Sequence, residues 1–292
     1  MKIKTKFRSL KKIYHISDIQ IRNLKRHKEF EQCFENLYTF LRKDPDNSVV
    51  YIGGDIAHSK TDMSPELVDQ LSRLFKNLAD ICPTLLIAGN HDCNLNNRSR
   101  LDVLTPIVQN LNHSNLHYLD KTDVYYIGDV GFAVLEVRDD EANLPDPSTI
   151  KAKTKVLLFH GTVDKSQTDL GFALPSAVKL KDFDGYDMVM LGDIHKMQTM
   201  QAYKTGKVTK PIVRYCGSLV QQNHGETLLG HGVSVWDVKD RTFEHQEITN
   251  DYGYFTMDIK NGLVPKVTNM PKYARLRIRL SNTSNTDLKK AL

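Results

Sequence analysis

Five strand-like apolar runs in this chain each end in a polar cluster made of residue types that bind metal ions. These clusters are Asp18 with Gln20, Asp55 with His58, Asn90-His91-Asp92, His160, and Asp193 with His195. In open α/β sheets the carboxyl ends of the strands converge on one crevice, so residues far apart in sequence meet there. The repeated pattern therefore predicts a buried sheet whose strand ends bring these side chains together around a shared ion.

Short β-rich runs alternate with helical patterns through the first half of the chain, which predicts α/β architecture. Apolar side chains recur at helical spacing over residues 30–41 and 67–78. From residue 116 onward the apolar runs become closely spaced, which predicts a second sheet with few helices between its strands. The predicted strands cover residues 13–17, 49–52, 84–88, 124–127, 131–137, 155–159 and 187–191, followed by a hairpin over 233–248.

The composition is that of a globular protein, with 40% hydrophobic and 26% charged residues among 292. No stretch approaches the roughly 20 apolar residues of a membrane span, and the basic N-terminus runs into the first strand without the apolar segment of a secretory signal. The four cysteines lie far apart with no C-x-x-C pair, which favours a reducing compartment. We therefore expect a protein of the cytoplasm, or of the nucleus in a eukaryotic cell, with no membrane partner and no secretion.

Basic residues give the chain a formal net charge of +5 and cluster near its two ends. A basic surface favours polyanionic partners such as nucleic acids. Lys11 and Lys12 in the first run, and Arg275 and Arg277 in the second, are candidate DNA contacts. An ordinary solvated charged face accounts for each run equally well.

The polar clusters combine carboxylates, a carboxamide and imidazoles, a ligand mixture that suits manganese, iron or zinc. We expect two divalent cations roughly 3.5 to 4 Å apart, bridged by the carboxylate of Asp55, with a bridging hydroxide as the nucleophile. A lone Gly-Asp after a strand is usually a turn, and a lone histidine there is usually structural. Five ordered clusters in one chain, including the more specific run 89–92, argue against a purely structural origin.

The motifs D-x-Q, G-D-x-x-H, G-N-H-D, an apolar run ending in H-G, and G-D-I-H resemble the ordered motifs of calcineurin-like metallophosphoesterases over residues 13–225. Within that superfamily the chain is similar to SbcD-type DNA double-strand-break repair nucleases through residues 53–58, 215–218 and 225–226. The resemblance implies an α/β (α+β) fold in which helices flank a two-sheet sandwich. It also implies a catalytic domain over residues 1–249 and a partial, truncated DNA-capping domain over 250–292.

The resemblance also assigns roles to single positions. It implies a first ion held by Asp18, Gln20, Asp55 and His195, and a second ion held by Asp55, Asn90, His160 and Asp193. His91 resembles the histidine that stabilises the transition state or protonates the leaving oxygen, with Asp92 orienting it. His58 matches a histidine near the scissile phosphate, although a capping or packing role fits it equally well.

Two positions depart from the family pattern, because Gln20 and Asp193 stand where the family usually has histidines. A glutamine offers only a carbonyl oxygen, whereas an aspartate adds a negative charge. The site therefore has more hard oxygen ligands than the family pattern. Mn²⁺ is the leading candidate for the bound ion, with Mg²⁺, Fe²⁺ or Zn²⁺ as alternatives. If Gln20 does not coordinate, the first ion is bound weakly.

Three functions fit these residues. The first is a Mn²⁺-dependent DNA endonuclease or exonuclease for DNA end processing, repair or recombination, acting as the nuclease subunit beside an SbcC-type ATPase. The second is a phosphoesterase for small substrates, and the third is a non-catalytic scaffold, which the substitutions at Gln20 and Asp193 motivate. Relatives form homodimers through helices, so the apolar faces at residues 30–41 or 67–78 are candidate pairing surfaces, with core burial as their default interpretation.

Overall fold

Two six-stranded mixed sheets face each other in the computed structural model, which describes residues 1–201 and 210–284 together with Thr286 and Lys289. The first eight strands are β1 (Lys12–Ile16), β2 (Ser48–Gly53), β3 (Thr84–Ile87), β4 (Leu116–Tyr118), β5 (Asp123–Ile127), β6 (Val130–Leu135), β7 (Thr154–His160) and β8 (Ser166–Gln167). The other strands are β9 (Ala173–Leu174), β10 (Met188–Gly192), β11 (Gln198–Gln201), β12 (Ile212–Tyr215), β13 (Gly232–Asp237), β14 (Thr242–Glu247), β15 (Tyr252–Lys260) and β16 (Tyr273–Ser281). The helices are α1 (His27–Leu41), α2 (Pro65–Ile81) and α3 (Leu104–Leu111). This architecture confirms the predicted two-sheet sandwich.

The first sheet has the strand order β14-β13-β1-β2-β3-β4, and the second has β11-β12-β10-β7-β6-β5. Strands β1 to β4 are mutually parallel, as are β12, β10, β7 and β6. Between the sheets lies an apolar layer that includes Ile13, Tyr51, Phe132, Leu158 and Trp236, all fully or almost fully buried. The parallel strands in the middle of both sheets therefore end on the side where the predicted site residues follow them.

All three α-helices pack on the outer face of the first sheet. Helix α2 shows why this segment is helical, because Ser64 caps the amide of Leu67 and Pro65 occupies the first turn. Its buried face includes Leu71, Leu74 and Phe75. Replacing one such leucine with alanine costs about 2–5 kcal/mol of folding free energy. The apolar faces of α1 and α2 therefore serve the core, which is the default interpretation given above for residues 30–41 and 67–78.

The outer face of the second sheet is covered differently. Loops and short 3₁₀ turns supply its buried apolar side chains, such as Ile150, Val178 and Phe183. The hairpin β13–β14 pairs antiparallel with β1 and so belongs to the first sheet, although it comes after the strands of the second. Helix α3 was not predicted from the sequence.

The last two described strands, β15 and β16, form a separate parallel pair. Arg275 on β16 forms an ion pair with the buried Glu29 of α1, at 2.6 Å between Nη2 and Oε2. Gln221 bonds to both the backbone N–H and the carbonyl of Tyr254. These contacts attach the pair to α1 and to the segment that contains Gln221, and the boundary near residue 250 stays a prediction. The end of the predicted capping domain, from residue 285, falls largely outside the described residues.

Candidate metal centre

The predicted site residues lie in loops at the carboxyl ends of five parallel strands, β1, β2 and β3 in the first sheet and β7 and β10 in the second. His160 is the last residue of β7, and Asp193 comes directly after Gly192, the last residue of β10. Because the two sheets stack, their strand ends open onto the same crevice. This arrangement brings together side chains that are up to 177 positions apart.

Asp18, Asp55 and His160 form the centre of this crevice. Each offers one donor atom, and the three atoms all lie within 4.8 Å of one another. All three residues are almost fully buried, with 0%, 2% and 2% of their surfaces exposed. Buried carboxylates this close repel each other unless a cation lies between them. Two carboxylates and an imidazole at this spacing therefore fit a divalent cation.

The ring of His160 is oriented for coordination. Its Nδ1 lies 2.7 Å from the carbonyl oxygen of Gly53, a distance at which Nδ1–H donates a hydrogen bond. Its Nε2 points into the centre, 3.1 Å from Oδ1 of Asn90 and 3.3 Å from Oδ1 of Asp55. A backbone acceptor on one ring nitrogen fixes the tautomer that leaves the other free for a metal.

Four of the predicted ligands have left-handed backbone conformations that non-glycine residues rarely adopt. The φ angles are 51° at Asp18, 48° at Gln20, 50° at Asp55 and 98° at Asp193. Backbone strain of this kind concentrates at functional sites, where the surrounding structure holds it in place. These four strained positions all lie in the turns that directly follow β1, β2 and β10.

Glycines next to the ligands allow the loops to approach one another. A Cβ atom on Gly89 would lie 2.1 Å from Oδ1 of Asp55, and one on Gly192 would lie 2.1 Å from the carbonyl oxygen of Gly53. Neither distance is possible for a carbon atom. The glycine in each motif is therefore required by the close packing of the centre.

Gln20 lies in the centre, but its amide group bonds to three neighbours. Its Nε2 lies 3.2 Å from Oδ2 of Asp55 and 3.0 Å from Nε2 of His195, and its Oε1 lies 3.0 Å from Nδ1 of His58. An amide nitrogen cannot coordinate a cation. In this orientation Gln20 therefore contributes a hydrogen-bond network and presents no oxygen toward Asp55 and His195.

His195 is held by a carboxylate that the ligand assignment above did not include. Its Nδ1 bonds to Oε1 of Glu226 at 2.7 Å, while its Nε2 faces Gln20. Glu226 also accepts hydrogen bonds from the hydroxyl of Ser218 and the backbone N–H of Gln222. A carboxylate behind a histidine is the arrangement that orients imidazole ligands of metals.

Asp193 contacts the centre mainly through its backbone. Its N–H donates to both carboxylate oxygens of Asp18, at 3.1 and 3.2 Å. Its own carboxylate accepts a hydrogen bond from the hydroxyl of Thr162 at 2.7 Å. Asp193 thus fixes Asp18 and keeps one carboxylate oxygen free of a hydrogen-bond partner among the described residues.

His58 and His91 stack on the open side of the centre, with ring centroids 5.5 Å apart. The side chain of His91 is 37% exposed, its Nδ1 lies 2.7 Å from the carbonyl oxygen of His58, and its Nε2 lies 3.9 Å from Oδ2 of Asp55. The Nε2 of His91 therefore lies at the exposed edge of the centre, next to Asp55.

Asp92 has a different set of contacts from the one predicted. Its buried carboxylate accepts hydrogen bonds from the backbone N–H groups of Ile56, Ala57 and Gly89 at 2.8–3.2 Å. The Nδ1 of His91, which Asp92 was expected to orient, instead meets the His58 carbonyl. Asp92 therefore fixes the loops after β2 and β3 to each other, because three converging N–H groups require an acceptor in a buried position.

The electrostatics of the metal-free centre follow from burial and mutual charge. Burial raises the pKa of Asp18 to about 6, although His160 and His195 partly oppose the shift. For Asp55, burial raises the pKa, but the charge and hydrogen bond of His160 outweigh it and lower the value to about 2. Burial lowers the pKa of His160, whereas Asp55 raises it more, to about 10. A proton on His160 therefore partly balances the carboxylates, and a bound cation would replace it.

The pKa values of the outer groups follow the same causes. Burial lowers the pKa of His195, but the hydrogen bond of Glu226 and the charge of Asp18 raise it to about 9. Burial, followed by the charges of Arg22 and His91, lowers the pKa of His58. Burial and the charge of Asp55 raise the pKa of Asp92 to about 7, against the effect of its backbone donors.

The four candidate DNA contacts are spread over distant parts of the surface. Lys11 and Lys12 lie at the amino end of β1, opposite Asp18, and Lys12 pairs with Asp44 at 2.5 Å. Arg275 is occupied by its ion pair with Glu29. Arg277 is exposed on β16.

Comparison with known proteins bears directly on this centre. A family model described as calcineurin-like phosphoesterase matches residues 11–197, a range that contains all the predicted metal ligands. The chain belongs to the calcineurin-like phosphoesterase family. It is also 42% identical over 287 residues to an uncharacterized protein of Acanthamoeba polyphaga mimivirus. That match covers 94% of this chain, and the chain spans 21% of the relative's length.

The description of this family, calcineurin-like phosphoesterase, points to the chemistry of phosphate esters. The cluster of Asp18, Asp55 and His160 is where this phosphoesterase can hold a metal ion. Glu226 lies outside the matched range, and its only sequence signal is its place in the run 225–226. Within the part of the chain that the structure describes, no helix has both the length and the apolar character needed to cross a membrane.

Proposed function

We propose that this phosphoesterase is a Mn²⁺-dependent DNA nuclease with two cations in its centre. The observation that supports two cations is that each carboxylate oxygen of Asp55 faces a different group of polar side chains. Oδ1 of Asp55 faces His160, and Oδ2 faces Gln20 and His195 beyond it. A bridging carboxylate uses its two oxygens in this way.

The cations would lower the pKa of a bound water so that hydroxide forms near neutral pH, and would stabilise the charge that develops on the phosphate. The residues of the chain supply the remaining functions. Asp18 and Asp55 would hold the cations. The carbonyl of Gly53 orients His160, and the carboxylate of Glu226 orients His195. His91 lies beside Asp55, where it would face the leaving oxygen of a bound substrate. His91 is proposed to donate a proton from Nε2 to that oxygen while Nδ1–H stays bonded to the His58 carbonyl.

DNA is proposed as the substrate because the centre is open to solvent and basic side chains lie on the surface around it. Lys60 donates to the carbonyl oxygen of Asn90 at 3.1 Å, and Lys196 lines a cavity of about 380 Å³ beside Asp193 and His195. Arg277 is exposed on β16. Basic groups at separate points around a phosphate site fit a chain of phosphates better than a single one.

A phosphoesterase for small substrates is the second candidate function. The cavity beside His195 supports it, since its volume lies within the range of pockets that enclose small ligands. Such an enzyme would use the same cations and the same His91. It would not bind DNA with the salt dependence that contacts to several phosphates produce.

The experiment that tests the proposal is Mn²⁺-dependent cleavage of end-labelled duplex and single-stranded DNA, with hydrolysis of bis(4-nitrophenyl) phosphate measured in parallel. We expect DNA cleavage by the native protein. His91→Ala should lower it roughly 100- to 10,000-fold with an unchanged metal content, because His91 acts on the substrate and not on the ions. His113→Ala, which changes a surface histidine paired with Asp80, is the matched control.

Hydrolysis of the chromogenic ester without DNA cleavage would contradict the nuclease proposal and favour a phosphoesterase for small substrates. Loss of metal from the His91→Ala protein would instead contradict the role of His91. Metal binding without hydrolysis of either substrate, under any of Mn²⁺, Mg²⁺, Fe²⁺ or Zn²⁺, would favour the non-catalytic scaffold.

An SbcC-type ATPase partner and a homodimer are also proposed. The apolar faces of α1 and α2 are buried within the chain, so pairing would need another surface. An apolar groove between α2 and α3, lined by Met63, Val68 and Ile107, is the available one. Light scattering of the protein with and without Val68→Lys tests the dimer, and a single-chain mass for the native protein would contradict it.

A further inference from the structure

Arg22 is a cation beside the metal centre that has no partner within residues 1–201 and 210–284. No hydrogen bond or ion pair joins its guanidinium group to another described side chain or backbone atom, and its Nε is buried without a partner. A buried guanidinium N–H that makes no hydrogen bond costs free energy, which is recovered when an acceptor arrives. The other arginines near this region are paired, because Arg26 and Arg275 both contact Glu29.

The backbone of Arg22 is held in place on both sides. Ile21 forms a parallel bridge with Ala57, and its carbonyl oxygen accepts the N–H of His58 at 3.0 Å. The carbonyl oxygen of Arg22 itself lies 2.9 Å from Nε2 of His27. The loop that carries Arg22 is therefore joined to the loop that carries His58, and the guanidinium group projects from a fixed point.

This fixed point lies on the open side of the centre. Arg22 comes two residues after Gln20, whose amide bonds to His58, and His58 stacks on His91. The loop of Arg22 therefore borders the side of the centre that His58 and His91 line.

No carboxylate among the described residues neutralises Arg22, whereas the centre itself contains Asp18, Asp55 and Asp193. Two bound dications would neutralise those three carboxylates and leave Arg22 as additional positive charge next to the substrate. Arginine binds phosphate through two parallel N–H groups, which gives both affinity and a fixed geometry.

We infer that Arg22 binds a second phosphate of the substrate, adjacent to the phosphate held at the metal centre. This inference rests on the proposed function in that the centre must hold the first phosphate. Arg22 thereby selects substrates with two phosphates one nucleotide apart, as in a nucleic-acid strand, over substrates with a single phosphate. It acts as a specificity-determining residue, and Lys60 on the exposed side of Asn90 supports the same preference by its charge.

The test is calorimetric titration of the Mn²⁺-loaded protein with thymidine 3′,5′-bisphosphate and with thymidine 5′-monophosphate. The native protein should bind the bisphosphate at least about 10-fold more tightly, the effect of one hydrogen-bonded charge pair. Arg22→Ala should remove this preference, and Arg22→Lys should keep part of it, because lysine retains the charge without the paired N–H groups. Lys25→Ala is the matched control, since Lys25 is an exposed cation on the same loop.

Equal affinity of the native protein for the two nucleotides would overturn the inference. So would an Arg22→Ala protein that loses affinity for both nucleotides by the same factor, since that result would place Arg22 at the metal centre instead. Binding does not depend on turnover, so the nuclease proposal fails separately, by an absence of DNA cleavage while the preference for the bisphosphate persists.

Discussion

The two sides of the metal centre differ in how they present donor atoms to a cation. On the side of His160, the imidazole Nε2 lies 3.1 Å from the oxygen of Asn90 and 3.3 Å from an oxygen of Asp55, and loss of one proton from this ring frees its lone pair for a cation. On the side of His195, the amide nitrogen of Gln20 lies between His195 and Asp55. The first arrangement can bind a cation once that proton leaves, whereas the second directs the amide N–H groups of Gln20 at Asp55 and His195 and must turn this amide as well.

Gln20 alone can therefore make the affinity for a metal ion differ between the two sides, without any change in the fold. For Gln20 to coordinate, its amide must turn so that Oε1 replaces Nε2. This turn breaks the present bond from Oε1 to His58, whose Nδ1 must then accept instead of donate. We therefore expect the His160 side to fill at a lower metal concentration than the His195 side.

The largest expected effect comes from Asp55, which faces both sides. Asp55→Ala should remove both ions and lower phosphoesterase activity by more than about 100-fold, the upper range for losing a group that merely orients a ligand. Metal content by mass spectrometry measures the outcome. Asp46→Ala, an exposed aspartate at the opposite end of the first sheet, should keep both ions. One ion remaining fully bound to Asp55→Ala would show that the two sides do not share this carboxylate.

A smaller and one-sided effect is expected from Glu226. Glu226→Gln keeps the size of the side chain but removes the charge that orients His195, so the ion on that side should bind roughly 10- to 100-fold more weakly. Metal titration followed by calorimetry separates the two sites. Glu35→Gln on the exposed face of α1 is the control. An equal loss at both sites would mean that Glu226 supports the whole centre and would remove the distinction between its sides.

The sequence predicted the location of the centre well because the relevant signal is local. Each polar cluster follows a buried strand, and parallel strands end on one side. The same rule explains why Lys11 and Lys12 lie far from the centre. They are at the amino end of β1, whereas Asp18 follows its carboxyl end. Five residues of extended chain span roughly 17 Å, which puts the two ends of β1 on opposite edges of the sheet.

Other features could not be predicted because they depend on contacts between distant segments. Glu226 reaches His195 across 31 positions, and the position of β13 beside β1 joins segments more than 200 positions apart. Asp92 was assigned to its sequence neighbour His91, but its carboxylate meets the N–H groups of another loop. The orientation of the Gln20 amide is likewise set by three partners that no local pattern specifies.

The smallest expected effect is also the most direct test of the comparison. Gln20→His should place a ring nitrogen with a free lone pair between Asp55 and His195, and so tighten the ion on that side by about 10-fold. The His160 side should be unaffected, and the two affinities should approach each other. Calorimetric titration with Mn²⁺ measures both, with Gln246→His on the exposed strand β14 as the control. If the weaker affinity does not change, Gln20 lies outside the coordination shell. The difference between the two sides must then come from Asp193. Its N–H donates to Asp18, and its carboxylate accepts a hydrogen bond from Thr162.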